Sequence, residues 1–294
     1  MIDFSNVTDI MLGNTPVEQV SDSQGNVLWS SAVDPSTVYF YVEDVSGADN
    51  TLSIQQSNSN ATTIEVFCST DQQNWSSMGT TSTTPITATV PANGKLYLKA
   101  SANAWGTSGE IYNCITANGN HNVGGNAMSL IYGDNFENQT IFPVGSGNNF
   151  CGLFKGNTTL LNASQLSLPA TTITDLCYEY MFNGCTSLLT TPTMSATTLA
   201  HQSCWGMFEG CTNLITAPVL LPTTLEETCY TFMFSGCNNL SSITTYAQNI
   251  SADSCLVGWL SNVAASGDFY NLGGATYESG ESGIPQGWTE HTSL

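Results

Sequence analysis

The second half of the chain repeats one short segment, and this repeat constrains the fold more than any other feature. The segment reads Met-Phe-x-Gly-Cys, and its three copies begin 26 residues apart, at Met181, Met207 and Met233. Self-similarity at a fixed period of this size indicates stacked supersecondary units, each covering the apolar face of its neighbour. The repeat therefore predicts an array of stacked units and disfavours an enzyme.

One unit can be interpreted position by position. Apolar residues at one-turn spacing over 177–182 predict a short helix or 3₁₀ turn. Gly184 then predicts the left-handed residue that ends such a turn. The β-branched stretch 188–194 predicts a short strand that pairs in parallel with the next unit. Because proline donates no ladder hydrogen bond, Pro192 and Pro218 are expected at a strand end or a kink.

The full motif is Cys-aromatic-x-x-Met-Phe-x-Gly-Cys-Thr-Ser-Leu, followed by Pro and Ala-Thr-Thr-Leu. It resembles the BspA-like (Treponema pallidum-type) leucine-rich repeats of Bacteroidales surface proteins and of their phages. The resemblance covers about Gly125 to the C-terminus, and the segments 126–136 and 255–288 are similar to the two caps of such arrays. It implies a capped leucine-rich-repeat solenoid over residues 119–294.

Charge and composition limit the partners. The net charge is −20, only 9% of residues are charged, and the basic residues are Lys95, Lys99 and Lys155, with no arginine. Because phosphate recognition relies on lysine and arginine, nucleic-acid binding is not expected, nor is binding to an anionic membrane. No apolar stretch reaches the length of a membrane span. The N-terminus resembles no secretory signal, so we expect either a removed signal or release by cell lysis.

Ten cysteines raise the question of disulfides, and eight of them lie between Cys151 and Cys255. Most recur with the repeat, as one series at Cys185, Cys211 and Cys237 and another at Cys177, Cys204, Cys229 and Cys255. We predict buried, reduced core residues, with a bridge such as Cys177 to Cys185 as the alternative. His121, His201 and His291 share no ligand spacing, and no Cys-x-x-Cys pair exists. Neither a metal nor a cofactor is therefore expected.

The N-terminal half predicts two further units. Residues 1–35 alternate as a β-hairpin module with a tight turn at Gly25-Asn26. They resemble the short N-terminal modules of phage head and tail appendage proteins, which implies attachment or assembly; the alternative is an ordinary hairpin packed on the next domain. Residues 36–118 contain several short alternating strands, such as 38–42 and 95–100, and predict a β-sandwich.

Candidate ligand-binding residues follow the cysteines of one series. An aromatic residue comes directly after each of three cysteines, at Tyr178, Trp205 and Tyr230. Stacked over three units, they predict an aromatic stripe on which sugar rings bind, with packing inside the array as the alternative. Aligned threonine pairs at 171–172, 197–198 and 223–224 predict either a polar edge or turn residues. No catalytic motif is found, and no catalytic residues are predicted.

The sequence thus predicts a mainly β chain with short helices: an N-terminal β-hairpin module, a β-sandwich and a C-terminal leucine-rich-repeat solenoid. The predicted function is a non-enzymatic virion appendage, a head or tail fibre or decoration protein of a phage infecting Bacteroidales. Residues 1–35 would contact other virion proteins, and the solenoid a host glycan or protein at the virion surface. A homo-oligomer is compatible with this role. The alternative is a bacterial cell-surface adhesin that lacks its signal peptide.

Overall fold

The computed structural model describes residues 34–143 and 147–294 in full, together with the backbone of four short strands between residues 11 and 30. The described part of the chain is mainly β, with several sheets and few helical residues. This confirms the mainly β prediction. Its helical elements are α1 (Ser129–Tyr132) and two 3₁₀ turns, Pro35–Thr37 and Gly133–Asn135. None of the described helices is long and apolar enough to cross a membrane.

The first strands form two antiparallel pairs. β1 (Met11–Leu12) pairs with β2 (Thr15–Pro16), and β3 (Gln19–Ser21) pairs with β4 (Val27–Ser30). The turn predicted at residues 25–26 lies outside the described residues.

Residues 38–118, here called the two-sheet region, form two antiparallel layers. Their strands are β5 (Tyr41–Asp44), β6 (Asn50–Gln56), β7 (Glu65–Ser69), β8 (Ser76–Thr80), β9 (Ile86–Val90), β10 (Lys95–Ala100), β11 (Gly106–Ser108) and β12 (Ile111–Ala117). One sheet has the order β11-β12-β6-β9, and the other contains β8-β7-β10-β5. Alternation along each strand places side chains such as Val42, Ile54 and Leu98, all 0% exposed, in one shared core.

A single strand connects this region to the repeats. β13 (His121–Asn126) pairs antiparallel with β5 and parallel with β14 (Leu160–Leu168), which pairs parallel with β15 (Thr193–Met194). The larger sheet therefore continues from the two-sheet region into the first repeats. Gly125, at φ +77°, permits a close approach, because a Cβ there would collide with the Tyr39 carbonyl group.

The repeat region, residues 148–262, is held by two alternating sets of main-chain hydrogen bonds. In one set each N–H donates to the carbonyl three residues earlier, as from Met181 to Tyr178 at 3.1 Å. The residues between them donate to the next repeat, as from Phe182 to Met207 at 2.8 Å. Each repeat is therefore tied to its neighbour through its main chain as well as through its side chains.

Every fourth residue of these turns has a positive φ: Asn148, Gly152 and Gly156, then Leu176, Tyr180 and Gly184, Gln202, Gly206 and Gly210, Thr228, Phe232 and Gly236, and Ser254, Gly258 and Asn262. The prediction of a left-handed Gly184 is confirmed at φ +71°. Of the two options predicted for 177–182, the helix is wrong, whereas the hydrogen bonds of a 3₁₀ turn, to the carbonyl three residues earlier, are present. A right-handed helix has no place for a left-handed residue such as Tyr180 in its middle, so the described segment is a series of turns.

Parallel pairing between repeats is confirmed, but in short pieces. β16 (Ser242–Thr245), β17 (Gly267–Asn271) and β18 (Trp288–His291) form a three-stranded parallel sheet. Between β15 and β16 the pairing is reduced to isolated parallel bridges. Pro192 directly precedes β15, as predicted for a strand end, and Pro218 lies between two bridged positions.

A column of phenylalanine rings runs through the interior. The centroids of successive rings lie 5.1, 5.2 and 5.5 Å apart, in the order Phe154, Phe182, Phe208 and Phe234. Phe40 of the two-sheet region extends the column, with its centroid 6.0 Å from that of Phe154. All five rings are 0% exposed, so both regions share one apolar core.

Two tryptophans close the C-terminal end. The indole N–H of Trp259 donates to the Gly283 carbonyl at 3.0 Å, and that of Trp288 to the Ala264 carbonyl at 2.7 Å. Both rings are buried, which covers the apolar face of the last repeat.

Candidate functional site

The three aromatic residues predicted to form a stripe do not share one surface. Tyr178 and Tyr230 are only 1% and 2% exposed. Tyr178 stacks on Phe150 at 6.3 Å, and Tyr230 stacks on Trp259 at 6.3 Å. An exposed sugar-binding platform of these residues is therefore contradicted. Both tyrosines instead pack inside the array, which was the alternative prediction.

Trp205 departs from the other two because it lies one position out of register. The Tyr178 N–H donates to Ser203, and the Cys204 N–H donates to Cys229, which makes Cys204 the equivalent of both tyrosines. Trp205 thus occupies the position of Glu179. It is half-buried and tilted against another ring, with its centroid 6.5 Å from that of Tyr180. The sequence already indicated this shift, because Trp205 lies 27 residues after Tyr178 and 25 residues before Tyr230, whereas the repeat is 26 residues long.

The cysteines of the repeats confirm the prediction of a buried position. All eight between Cys151 and Cys255 are buried, with free thiols. Desolvation raises the pKa of every one of them, which keeps the thiols protonated. Three thiols donate to a carbonyl of the preceding repeat, each at 3.1 Å: Cys185 to Phe154, Cys211 to Phe182 and Cys237 to Phe208. Cysteine therefore supplies both apolar volume and a donor at this position.

Asn157 replaces cysteine in the first unit and takes over the donor role. Its Nδ2 donates to the Ile115 carbonyl at 3.2 Å and lies 3.1 Å from His121 Nε2. The side chain of asparagine is longer than that of cysteine. It therefore reaches β12 of the two-sheet region, which lies where a preceding repeat would otherwise be. Burial lowers the pKa of His121, so this imidazole is a neutral member of the core rather than a proton carrier.

Charged groups gather where the β11–β12 hairpin contacts the first repeats. The Lys155 ammonium donates to the Gly109 carbonyl at 2.8 Å and lies 4.3 Å from the centroid of the Tyr180 ring. Glu179 is 7% exposed and accepts a weak bond from the Cys151 thiol at 3.5 Å. Burial raises the pKa of Glu179, and the nearby Lys155 opposes that rise. This cluster fastens the hairpin to the repeats.

The repeat region exposes apolar side chains on the side of its strands. Leu189 and Ile215, 26 residues apart in the sequence, are 48% and 53% exposed, and Val219 is 48% exposed. The Leu189 N–H donates to the Leu161 carbonyl at 2.9 Å, which aligns equivalent residues of neighbouring repeats. These side chains form an apolar row that solvent reaches.

The predicted threonine edge is partly exposed and partly used by the backbone. Thr197, Thr198, Thr223 and Thr224 are exposed. The Thr197 hydroxyl also donates to the Thr171 carbonyl at 3.3 Å. The two roles predicted for these threonines therefore coexist.

A second accessible surface lies on the outer face of the larger sheet and was missed by sequence reasoning. Alternation along β10 places Lys95, Tyr97 and Lys99 on this face. The Lys99 ammonium contacts the Asp134 carboxylate at 2.6 Å and lies 4.3 Å from the Trp75 ring centroid. Lys95 likewise lies over the Tyr41 ring, so both lysines of this face contact aromatic rings. The pattern Lys-Leu-Tyr-Leu-Lys was the signal that could have indicated it.

Within the described residues, no group of three or more histidine, cysteine, aspartate or glutamate side chains is arranged to hold a metal ion. No family model, curated protein or solved structure matches this chain.

Proposed function

We propose that the chain is a non-enzymatic virion appendage of a phage infecting Bacteroidales, a head or tail fibre or decoration protein. In this proposal residues 119–294 form a BspA-like leucine-rich-repeat solenoid that recognises a host glycan or protein. The observation that carries it is the regular main-chain bonding between repeats, which holds exposed side chains such as Leu189 and Ile215 at matching positions.

A surface of this kind suits recognition for a physical reason. Its side chains project from a backbone that neighbouring repeats already hold in place. Binding therefore loses less conformational freedom than it would on mobile loops. The interior beneath is filled by the phenylalanine column and by buried methionine, leucine and cysteine side chains. Partners would accordingly be bound on the outside of the array.

Residues 1–35 are proposed to attach the chain to other virion proteins. This assignment rests on their resemblance to appendage modules. Assembly as a homo-oligomer is compatible with it. The second candidate, a bacterial cell-surface adhesin, rests on the same resemblance of the repeats to Bacteroidales surface proteins.

Peptide mass spectrometry of density-purified phage particles and of outer-membrane fractions from the source culture tests the proposal. We expect peptides of this chain to co-purify with capsid proteins. Enrichment in the membrane fraction, with a processed N-terminus, would instead identify the adhesin and remove the assembly role of residues 1–35.

Deletion of residues 1–35 provides a second test. The attachment role predicts that the shortened chain unfolds at the same temperature as the full chain but is no longer incorporated into particles. A lower unfolding temperature would show that this segment completes the neighbouring domain instead.

A further inference from the structure

We propose that the outer face of the larger sheet carries a binding site for one neutral saccharide unit. The site is a cavity of about 230 Å³ at the junction of β5 and β10, lined mainly by Tyr41, Lys95, Tyr97, Gln72, Gln165 and Pro35. It lies apart from the repeat surface of the proposed function and goes beyond it.

The fold assembles this cavity from distant segments. Tyr97 of β10 pairs directly opposite Tyr41 of β5, and alternation places both rings on the outer face of the sheet, where Tyr97 is part-exposed and Tyr41 is 6% exposed. On the other side of β5, Gly124 of β13 has no side chain, and a Cβ there would collide with the Tyr41 ring. The Tyr41 ring therefore lies over β13, towards Gln165 of β14. Gln72 closes the opposite side from a left-handed turn at φ +61°.

Two aromatic rings form adjoining walls. The centroids of Tyr41 and Tyr97 lie 5.7 Å apart, with their planes inclined by 68°. The Lys95 ammonium lies 4.0 Å from the Tyr41 centroid and 3.8 Å from a Glu43 carboxylate oxygen. Aromatic faces carry negative charge density and attract the polarised C–H groups of a sugar ring. The part-exposed Tyr97 supplies that face, because Tyr41 is only 6% exposed and Lys95 lies over its ring. The lysine adds a donor whose charge Glu43 partly balances.

The polar groups around the rings are available to a ligand. Within the described residues, the side-chain amides of Gln72 and Gln165 and the hydroxyls of Tyr41 and Tyr97 have no hydrogen-bond partner. An amide both donates and accepts, as does a phenol, which matches the mixed donors and acceptors of sugar hydroxyls. Burial, together with the nearby Glu43, raises the pKa of Tyr41 to about 12, so its hydroxyl keeps the proton it donates.

Size and charge narrow the ligand class. Pockets for drug-sized ligands span about 300–1,000 Å³, so a cavity of about 230 Å³ admits one ring-sized group rather than an extended ligand. One partly balanced lysine in a chain of net charge −20 disfavours a phosphate or another strong anion. A neutral, hydroxyl-rich ring satisfies both conditions.

Saturation-transfer NMR on the full chain tests the site, with glucose, galactose, mannose and N-acetylglucosamine as probes and glucuronate as the anionic comparison. We expect at least one neutral sugar to receive saturation at millimolar concentration. Tyr97→Ala should weaken its affinity about tenfold or more. Gln165→Ala, at an exposed position, should weaken it less. Tyr246→Ala removes an exposed ring from the repeat region and should leave binding unchanged.

Three results would overturn the site. The first is saturation of none of the neutral sugars, and the second is a preference for glucuronate. The third is a sugar signal that persists in Tyr97→Ala and Gln165→Ala but is lost in Ile215→Asp. This result would place the sugar on the repeats, in agreement with the proposed function. Circular dichroism checks the fold of each variant. If Tyr97→Ala does not fold, the exposed Gln165→Ala decides the outcome.

Discussion

The two-sheet region and the repeat region use aromatic residues in opposite ways. In the two-sheet region, alternation along the strands places Tyr41 and Tyr97 on the outer face, with Tyr41 only 6% exposed, while Phe40, Leu96 and Leu98 fill the core. In the repeat region, an inward-facing ring such as Phe208 is copied in each neighbouring repeat and becomes part of a column. Alternation along a strand leaves every second side chain on the outer face, where a part-exposed residue such as Tyr97 can contact a ligand. Repetition instead places the same inward side chain of every repeat in the core.

The two regions also differ in the range of their contacts. In the two-sheet region, β6 pairs with β12, more than 50 residues away in the sequence. In the repeat region the main-chain bonds lie within one repeat or join adjacent repeats, and the first unit also bonds to the two-sheet region and to β13. Stability in such an arrangement is close to a sum of nearest-neighbour contacts. A substitution in a middle repeat should therefore act locally.

The largest effect is expected from Phe208→Ala. This ring is 0% exposed and stacks between Phe182 at 5.2 Å and Phe234 at 5.5 Å. Loss of the ring leaves a cavity in the column and should lower the free energy of unfolding by about 3–5 kcal/mol. Urea denaturation measures it, with the exposed Ile215→Ala as a control expected to change stability by about 0.5 kcal/mol or less. A loss below about 1 kcal/mol would contradict the column as a source of stability.

Cys211→Ala should have the next largest effect. The Cys211 thiol is buried and donates to the Phe182 carbonyl at 3.1 Å. The variant loses this bond and the sulfur's volume, at a cost of about 1–3 kcal/mol by urea denaturation. Cys68→Ala is the matched control in the two-sheet region, because Cys68 is half-buried and donates no hydrogen bond within the described residues. Equal losses in both variants would remove the special role of the repeated thiols.

Glu179→Gln should change how stability depends on pH. Burial raises the pKa of Glu179 above its ordinary value of 4.5, so the folded state holds the proton more tightly than the unfolded state. The stability that this proton contributes is present below pH 4.5 and is lost as pH rises through the folded-state pKa. Glutamine resembles the protonated acid, so the variant should lose less stability than the wild type as pH rises to neutrality.

Urea midpoints measured across this range report the difference. Burial also raises the pKa of Glu209, so part of the dependence remains in the variant. Glu226→Gln, at an exposed position of the repeats, is the control. Identical slopes for the wild type and Glu179→Gln would show that the carboxyl is not desolvated.

The smallest effect is expected from Trp205→Phe. The indole N–H of Trp205 is buried and has no hydrogen-bond partner among the described residues. Phenylalanine keeps an aromatic ring beside Tyr180 and removes the unsatisfied donor, so stability should change by about 1 kcal/mol or less, or increase slightly. Thermal unfolding measures this. A loss of about 2 kcal/mol or more would mean that the N–H contributes to the fold.

The parallel pairing and the buried cysteines were predicted correctly because the constant offset of 26 residues places equivalent residues side by side. The left-handed Gly184 follows from the conformational freedom of glycine. The strand predicted over 188–194 is reduced to Thr193–Met194, with Pro192 directly before it. The helix, one of two options for 177–182, was wrong because side-chain spacing does not report the sign of φ at a non-glycine residue such as Tyr180.

The candidate sites were harder to predict. The exposed stripe failed because Tyr178 and Tyr230 occupy an inward position, and Trp205 lies one residue away from that position. The cavity beside Tyr97 combines Gln72, Gly124 and Gln165, which approach only through pairing between distant strands. Single-sequence patterns describe local structure and contain no such pairing.

Hydrogen exchange followed by mass spectrometry, on the wild type and Phe208→Ala, tests most directly whether the two regions are stabilised differently. We expect that peptides covering residues 176–262 lose protection in the variant, whereas those covering 41–56 and 86–100 keep it. Equal loss of protection in both sets would show one cooperative unit and contradict nearest-neighbour stabilisation of the repeats.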